Sequence, residues 1–315
     1  YDESKIRVIY LDIETEIGEG FTYPHTPTQP INAISLSYNA KLIQFGWYDY
    51  KHVEPGVTFI HCSSEREMLA KFIETVRHIS PDILSGWNSS NFDIPFIINR
   101  IKMVFDEDYI NRLSPYNRKV KCDFKVDDGK DTYEIDIPGV SCVDYLEAYK
   151  KFRGKTRDSY KLDNIVQIEL GEQKTPYEGT LRELYENDKP LFFKYNAHDT
   201  RLIDLLEDKL KIMSQIIAIA YVARINYEDT FKSIRIWDAI INNYLRHQNI
   251  HVPFLSEKSH GDGYEGAFVK DPLMGFYDWF VSSDATALYP SLMQQYNISP
   301  ETRVDPSLFV SLIPA

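Results

Sequence analysis

Cysteine is scarce in this chain of 315 residues: Cys62, Cys122 and Cys142 stand far apart. An odd, scattered set provides neither a disulfide framework nor a zinc pattern, and it fits a reducing, cytoplasmic compartment. Long apolar runs are also missing. Nothing approaches the roughly 18 residues of a membrane span, and no secretory signal precedes the first expected strand, so no membrane partner is expected. The 14 glycines never fall into a phosphate-cradling loop, and no Ser-His-Asp arrangement stands out. Positive charge is in deficit, with 35 Lys and Arg against 47 Asp and Glu. A net charge of −12 does not describe a general nucleic-acid binder, although it says little about a local groove. Repeats and low-complexity tracts are absent.

What remains is the composition of a globular protein long enough for two domains. Its organising stretch is Val8-Ile9-Tyr10-Leu11-Asp12-Ile13-Glu14-Thr15. Apolar residues at successive positions predict a central strand covered on both faces. Asp12 and Glu14, two apart, share one face of that strand, roughly 6–7 Å from each other along the chain. Two buried like charges cost several kcal/mol unless a positive group sits beside them, and a divalent ion is the usual one. The plainer reading ends the strand at Leu11 and leaves both acids solvated; a similar acid pair recurs at Glu65 and Glu67.

Downstream, residues 31–38 and 41–47 predict two strands turning at Asn39-Ala40. Residues 64–79 predict a helix with a capping box between Ser64 and Glu67. A short buried strand is expected over 81–87, and strand and helix in this order mark an α/β domain. Asp93 and Pro95 stand where the next helix begins, so Asp93 either caps that helix or serves chemistry, and the two can coexist. Residues 119–137 read as a β-hairpin. Basic clusters flank it at Arg112, Arg118, Lys119 and Lys121, and at Lys150, Lys151, Arg153, Lys155 and Arg157. The second lies between Tyr149 and Tyr160, an interleaving that suits single-stranded nucleic acid, although for any one of these residues a solvated surface is the favoured reading.

Residues 190–211 give the sharpest helical pattern. Phe192, Tyr195, Asp199, Ile203, Leu206 and Leu210 share one face, which centres Asp199 in an apolar stripe. An acid there calls for a partner, and Tyr195 lies one turn before it. The alternative rotates the helix and leaves Asp199 at the rim. Helices are expected again over 213–223 and 233–246, a boundary loop over 256–263, and strands over 266–269 and 279–284, the last ending in Asp284. Together Asp12, Glu14, Asp93 and Asp199 suit two Mg²⁺ or Mn²⁺ ions, hard cations bound by oxygen. Such a pair holds a phosphodiester in line, with Tyr195 positioning the attacking water.

These motifs, in this order, resemble the proofreading family B DNA polymerases. Asp12-Ile13-Glu14, Asn88-x-x-x-Phe92-Asp93 and Tyr195-x-x-x-Asp199 look like that family's three exonuclease motifs. Ser283 to Ser291 resembles its first polymerase motif, and Gly263-Tyr264-Glu265-Gly266-Ala267 its template-contacting linker. Ile236 to Ile240 and Asn297 to Thr302 look specifically like polymerases of T-even-like bacteriophages. The resemblance implies a ribonuclease-H-like exonuclease over 1–210, a helical connector over 211–260 and the first strands of a palm over 261–315. It implies metal ligation by Asp12, Glu14, Asp93 and Asp199, and Mg²⁺ at Asp284 once the polymerase site is completed. Asp284, Leu288 and Tyr289 would meet the deoxynucleotide, Tyr289 as the gate against a ribose hydroxyl. Asn88, Phe92, Tyr264 and Gly266 would meet DNA, single-stranded or primer–template, and the hairpin would help move the primer end between sites. Further implied partners are the remainder of the polymerase and a sliding clamp, in the cytoplasm of an infected bacterium.

Departures exist. Ala287 stands where phage relatives usually carry Ser. No Asp-Thr-Asp triplet and no Lys-x-x-x-Asn-Ser helix follows, and the chain opens on Tyr1, so it reads as a piece of a polymerase or one subunit of a split one. Two other readings stay open: a stand-alone 3′–5′ exonuclease with an unrelated C-terminal extension, and a non-catalytic DNA-binding module. A complete acid set argues against the latter, since acids without metal repel phosphate.

Overall fold

The computed structural model describes residues 2–16, 22–48, 54–127, 129–252, 266, 268–299, 302 and 304. It divides into two compact units, Tyr1–Pro253 and Phe254–Ala315.

The first unit is built on a six-stranded mixed sheet. Its strands are β1 (Val8–Thr15), β2 (Ile31–Tyr38), β3 (Lys41–Gly46), β4 (Val57–His61), β5 (Ile83–Gly86) and, beyond the hairpin β6 (Lys121–Asp127) and β7 (Lys130–Asp136), β8 (Ser141–Asp144). Their order is β4-β3-β2-β1-β5-β8, so β1 is interior as its composition predicts. β1 and β2 run antiparallel, and so do β2 and β3, while β5 lies parallel to both β1 and β8. The β2–β3 turn places both Asn39 and Ala40 at positive φ, 51° and 58°. This twist matches that of the flanking strands, which is why so weak a turn pair still closes a hairpin.

Helices α1 (Glu65–Ile79), α2 (Asp93–Val104), α3 (Tyr145–Arg153), α4 (Leu162–Leu170), α5 (Leu181–Asn187), α6 (Lys189–Leu210), α7 (Ile212–Ala223) and α8 (Ser233–His247) complete the unit. The sheet is covered on both faces, as the unbroken apolar run of β1 requires. Ile9, Leu11 and Ile13 join the core with Phe72 of α1 and Ile97 of α2. Tyr10, on the opposite face, packs with Ile203 of α6 and Ile216 of α7. The stretch expected to act as a connector thus contributes Ile212, Ile216 and Ile217 to this core.

Several local expectations shift. Ser64 caps α1 by accepting from the Glu67 amide, but the Glu67 carboxylate turns to the amide and hydroxyl of Ser63 instead of closing a capping box. The reciprocal box forms at Thr180 and Glu183, at the start of α5. Asp93 is the first residue of α2 and does not cap it; the cap position is Phe92, which has no side-chain bond to give.

In the second unit the described residues contain one helix, α9 (Leu288–Gln295), and no strand. The strands expected over 266–269 and 279–284 are therefore not formed among the described residues. Those from 266 to 298 are all exposed, and a segment without a neighbour to hydrogen-bond is not a strand. The boundary loop expected over 256–263, and Tyr264, lie outside the described residues.

One close approach fixes β1 against β5. A Cβ added at Gly86 would stand 2.5 Å from the Leu11 carbonyl oxygen and 2.9 Å from Ser89 Cβ. Backbone cannot give way cheaply at the residue before Asp12. Gly86→Ala is expected to destabilise the first unit by roughly 1–3 kcal/mol, read as a lower urea midpoint at unchanged slope.

Candidate active site

The two faces of β1 decide where its acids go. Asp12 and Glu14 follow Tyr10 onto the side covered by α6. Helix α6 starts firmly, with Asp188 accepting from the Leu191 amide at 3.0 Å and Pro190 in its first turn. Its buried face presents Tyr195, Asn196 and Asp199. Asp199 is thus placed in the stripe that its helical phase predicts, with carboxylate oxygens of Asp12, Glu14 and Asp199 within 4.8 Å of one another. Asp93 approaches from α2 and stands outside that mutually close set. One of its oxygens accepts from the Ile13 amide at 3.1 Å, so it is tied to β1, and its charge is felt at Asp12.

So many acids in one place cannot all stay ionised in the absence of a cation. Burial, then the neighbouring Asp93, Glu14 and Asp199, pushes Asp12 well above the usual carboxylate range. Burial likewise raises Glu14 to about 8 and Asp93 to about 7. One positive group answers them. Lys174, from the irregular segment between α4 and α5, pairs with Asp199 Oδ2 and donates to Tyr195 Oη at 3.0 Å. Burial by itself would lower the Lys174 pKa, but Asp199 and Tyr195 hold it above the ordinary lysine value. The other Asp199 oxygen, Oδ1, is buried with no hydrogen-bond partner. An orphaned carboxylate oxygen beside two further acids fits a hard cation. Asp12, Glu14 and Asp199 are thus a set able to hold a metal ion.

The cluster opens on a cleft of about 690 Å³, lined among others by Asp12, Asn88, Tyr160, Lys174, Tyr195 and Asp199. Asn88 reaches it from a tight turn at φ 61°. That turn is held by Asp144, which accepts from the amides of Asn88 at 3.2 Å and Ser90 at 3.0 Å while capping α3. Asp163 fixes the Lys174 segment by accepting from its amide at 3.1 Å. Phe92 turns away into packing beside Phe96 and the core.

The second basic cluster is largely committed within the fold. Arg153 and Arg157 both pair with Glu169, Lys150 pairs with Glu147 over the Tyr160 ring, and Lys151 donates to the Phe231 carbonyl. Arginines paired with a buried acid are not a ready phosphate track. In the second unit, Asp284 lies in an exposed irregular segment, Leu288 and Tyr289 open α9 with Tyr289 exposed, and Gly266 is exposed.

Sequence reasoning missed Lys174, Asn196, Asp144 and Asp163. Lys174 lies in no periodic element, and only the requirement for a positive charge beside buried acids points to it. Asn196 could have been found by extending the buried face of α6 by one residue.

Residues 2–165 match the family described as DNA polymerase family B, exonuclease domain, and residues 225–308 match DNA polymerase family B. The second match removes the reading of an unrelated C-terminal extension. The DNA-directed DNA polymerase of Escherichia phage RB69 is 33% identical over 96% of this chain, and that of Enterobacteria phage T4 is 34% identical over the same share. The DNA polymerase delta catalytic subunit of Caenorhabditis elegans is 29% identical over 93%. The chain spans 36% of the length of each phage polymerase.

The raised acids give a signed pH dependence. Glu14 and Asp93 keep their protons to about pH 8 and 7 when folded, and lose them near 4 when unfolded. Folding therefore takes up protons across that window, and the cluster's contribution to stability falls as pH rises through it. In EDTA the melting temperature is expected to drop between about pH 5 and pH 8.5. Mn²⁺ should raise it, and more so at the higher pH, because a cation then displaces fewer protons. Differential scanning fluorimetry over that range checks both slopes.

Proposed function

Since the chain belongs to the family B DNA polymerases, we propose that its first unit is a metal-dependent 3′–5′ exonuclease, which proofreads for the DNA polymerase activity of the whole protein. The observation that carries this reading is the meeting of Asp12, Glu14 and Asp199 within 4.8 Å at a cleft that also presents Tyr195. The substrate is a single-stranded 3′ end, free or frayed from primer–template DNA.

Asp12, Glu14 and Asp199 would hold two Mg²⁺ or Mn²⁺ ions, with Asp93 completing the set. When bound, these ions supply the charge that activates water and stabilises the leaving 3′ oxygen. Tyr195 orients the attacking water. Burial and Asp199 raise its phenol above the usual range, so it stays protonated and can donate while its oxygen accepts from Lys174. Lys174 shields the negative charge gathering around the scissile phosphate. Asn88, on its braced turn, meets the strand at the cleft mouth, and Phe92 supports that turn from beneath.

The later residues belong to the polymerase reaction. Asp284 is one of the palm acids that bind Mg²⁺, Leu288 and Tyr289 meet the deoxynucleotide, and Tyr264 with Gly266 meets the template strand. Within the first unit the exonuclease proper runs to about residue 210, a connector whose first helix shares its core follows over 211–260, and the palm begins near 261. A sliding clamp and the remainder of the polymerase are the protein partners, and the cytoplasm of an infected bacterium is the compartment.

Asp12→Ala and Asp199→Ala are each expected to slow Mg²⁺-dependent digestion of a 3′-single-stranded oligonucleotide by on the order of 10³-fold or more. Tyr195→Phe, which removes one orienting hydroxyl, should slow it by about 10–100-fold. Quenched-flow gels with a 5′-labelled strand read both. Digestion surviving in Asp12→Ala would overturn the assignment. Because its sequence holds no second palm acid pair, this chain should not extend a primer by itself.

A further inference from the structure

A buried polar relay lies between the sheet and α6, behind the acid cluster. Asn196 is fully buried, and its Nδ2 donates to Asp12 Oδ2 at 2.7 Å. Its Oδ1 accepts from Ser35 Oγ at 2.5 Å and from Gln44 Nε2 at 3.1 Å. Gln44 Nε2 also donates to the Phe193 carbonyl at 2.7 Å. Ser35 and Gln44 are 0% and 2% exposed, so water does not compete for these bonds.

The Phe193 carbonyl anchors the direction of this relay, in which Gln44 Nε2 also reaches Ser35 Oγ at 3.1 Å. A backbone carbonyl only accepts, so Gln44 must turn its NH₂ group toward Phe193. That same group, with the Ser35 hydroxyl, occupies the Asn196 oxygen. An amide can offer a carboxylate either of its ends, and with its oxygen so engaged Asn196 can offer only its NH₂. Strand register adds to this: Asp12 lies directly opposite Ser35, so carboxylate and hydroxyl project side by side toward α6. Asn196 and Asp199 are three apart and share the buried face of that helix.

We propose that Asn196 is a positioning residue for Asp12, held in one orientation by Ser35 and Gln44, so that Asp12 keeps one oxygen fixed and turns the other toward a divalent cation. The proposal rests on the exonuclease reading of this site. With the amide reversed, its oxygen would face the carboxylate and its NH₂ would face the Gln44 NH₂, so only the observed orientation presents a donor to Asp12. Partners one shell behind a metal ligand typically contribute 10–100-fold to metal affinity.

The test is calorimetric titration of the chain with Mn²⁺ alone, repeated on variants, with urea unfolding in EDTA recorded beside it. Asn196→Leu is expected to weaken Mn²⁺ binding by about tenfold or more. Ser35→Ala, which removes one of two bonds to the Asn196 oxygen, should weaken it in the same direction by less. In Asn196→Leu the Ser35→Ala change should add nothing, because it acts through Asn196. Wild-type affinity in Asn196→Leu, with binding lost in Asp12→Ala, overturns the role of Asn196 and leaves the metal site standing. Independent, additive losses overturn it as well. If Asn196→Leu does not fold, Ser35→Ala decides alone, and unchanged affinity there counts against the proposal. Failure of the wild-type chain to bind Mn²⁺ overturns the site reading, and this role with it.

Discussion

Like-charge repulsion among buried carboxylates is the constraint on which the first unit depends. Asp12 and Glu14 project from an interior strand, Asp199 from the buried face of α6, and Asp93 from the first turn of α2. Each placement is unfavourable by itself, since a lone ionised acid in an apolar interior costs several kcal/mol. The fold answers in three ways. Protons remain on Glu14 and Asp93 to near-neutral pH, Lys174 stands against Asp199, and backbone or amide donors face Asp93 and Asp12. None of these neutralises the whole cluster, and the unpaired Asp199 Oδ1 marks what is left over.

Bringing α6 close enough for this requires a smooth sheet beneath it. On the α6 side, β2 presents Ala33, Ser35 and Ser37, and β3 presents Gln44 and Gly46. A Cβ at Gly46 would meet the Phe193 ring at 2.5 Å. Small residues therefore set how closely α6 lies on the sheet, and that closeness sets the reach from Asp199 to Asp12. The opposite face, packed by α1 and α2, carries the bulky apolar residues Ile34, Leu36 and Phe45. One face of the sheet is built for stability and the other for chemistry.

Much of this was legible in the sequence, for a physical reason. Period-2 and period-3.6 patterns fix which face a side chain takes, and Asp12, Glu14 and Asp199 all lie in strongly periodic elements, so their convergence could be inferred. Asp93 was harder, because Asp followed closely by Pro is an ordinary helix start; its carboxylate instead crosses 80 residues of sequence to the Ile13 amide. Lys174 was invisible for lack of any period. The basic cluster was legible only in part, because sequence shows a run of charges and not that buried Glu169 takes Arg153 and Arg157. The strands expected over 266–269 and 279–284 failed for yet another reason: composition describes a segment that can pair, and pairing needs a neighbour that the described part of that unit does not provide.

On the proposed reading, the same charge excess decides how the cleft would meet DNA. A phosphodiester brings one negative charge per nucleotide to a floor of three close carboxylates. Lys174 offsets only part of that, because Asp199 already holds it. Ionised acids without a bound cation would repel a phosphate backbone. Strand binding at the cleft and cation binding at its floor would then be thermodynamically linked: each would lower the electrostatic penalty of the other, by the same factor in both directions. A module meant only to grip DNA would gain nothing from Asp12, Glu14 and Asp199 in this place and would bind better without them. Their cost is compensated only where the ions they gather act on the strand, which is why the acid cluster speaks for catalysis over passive binding.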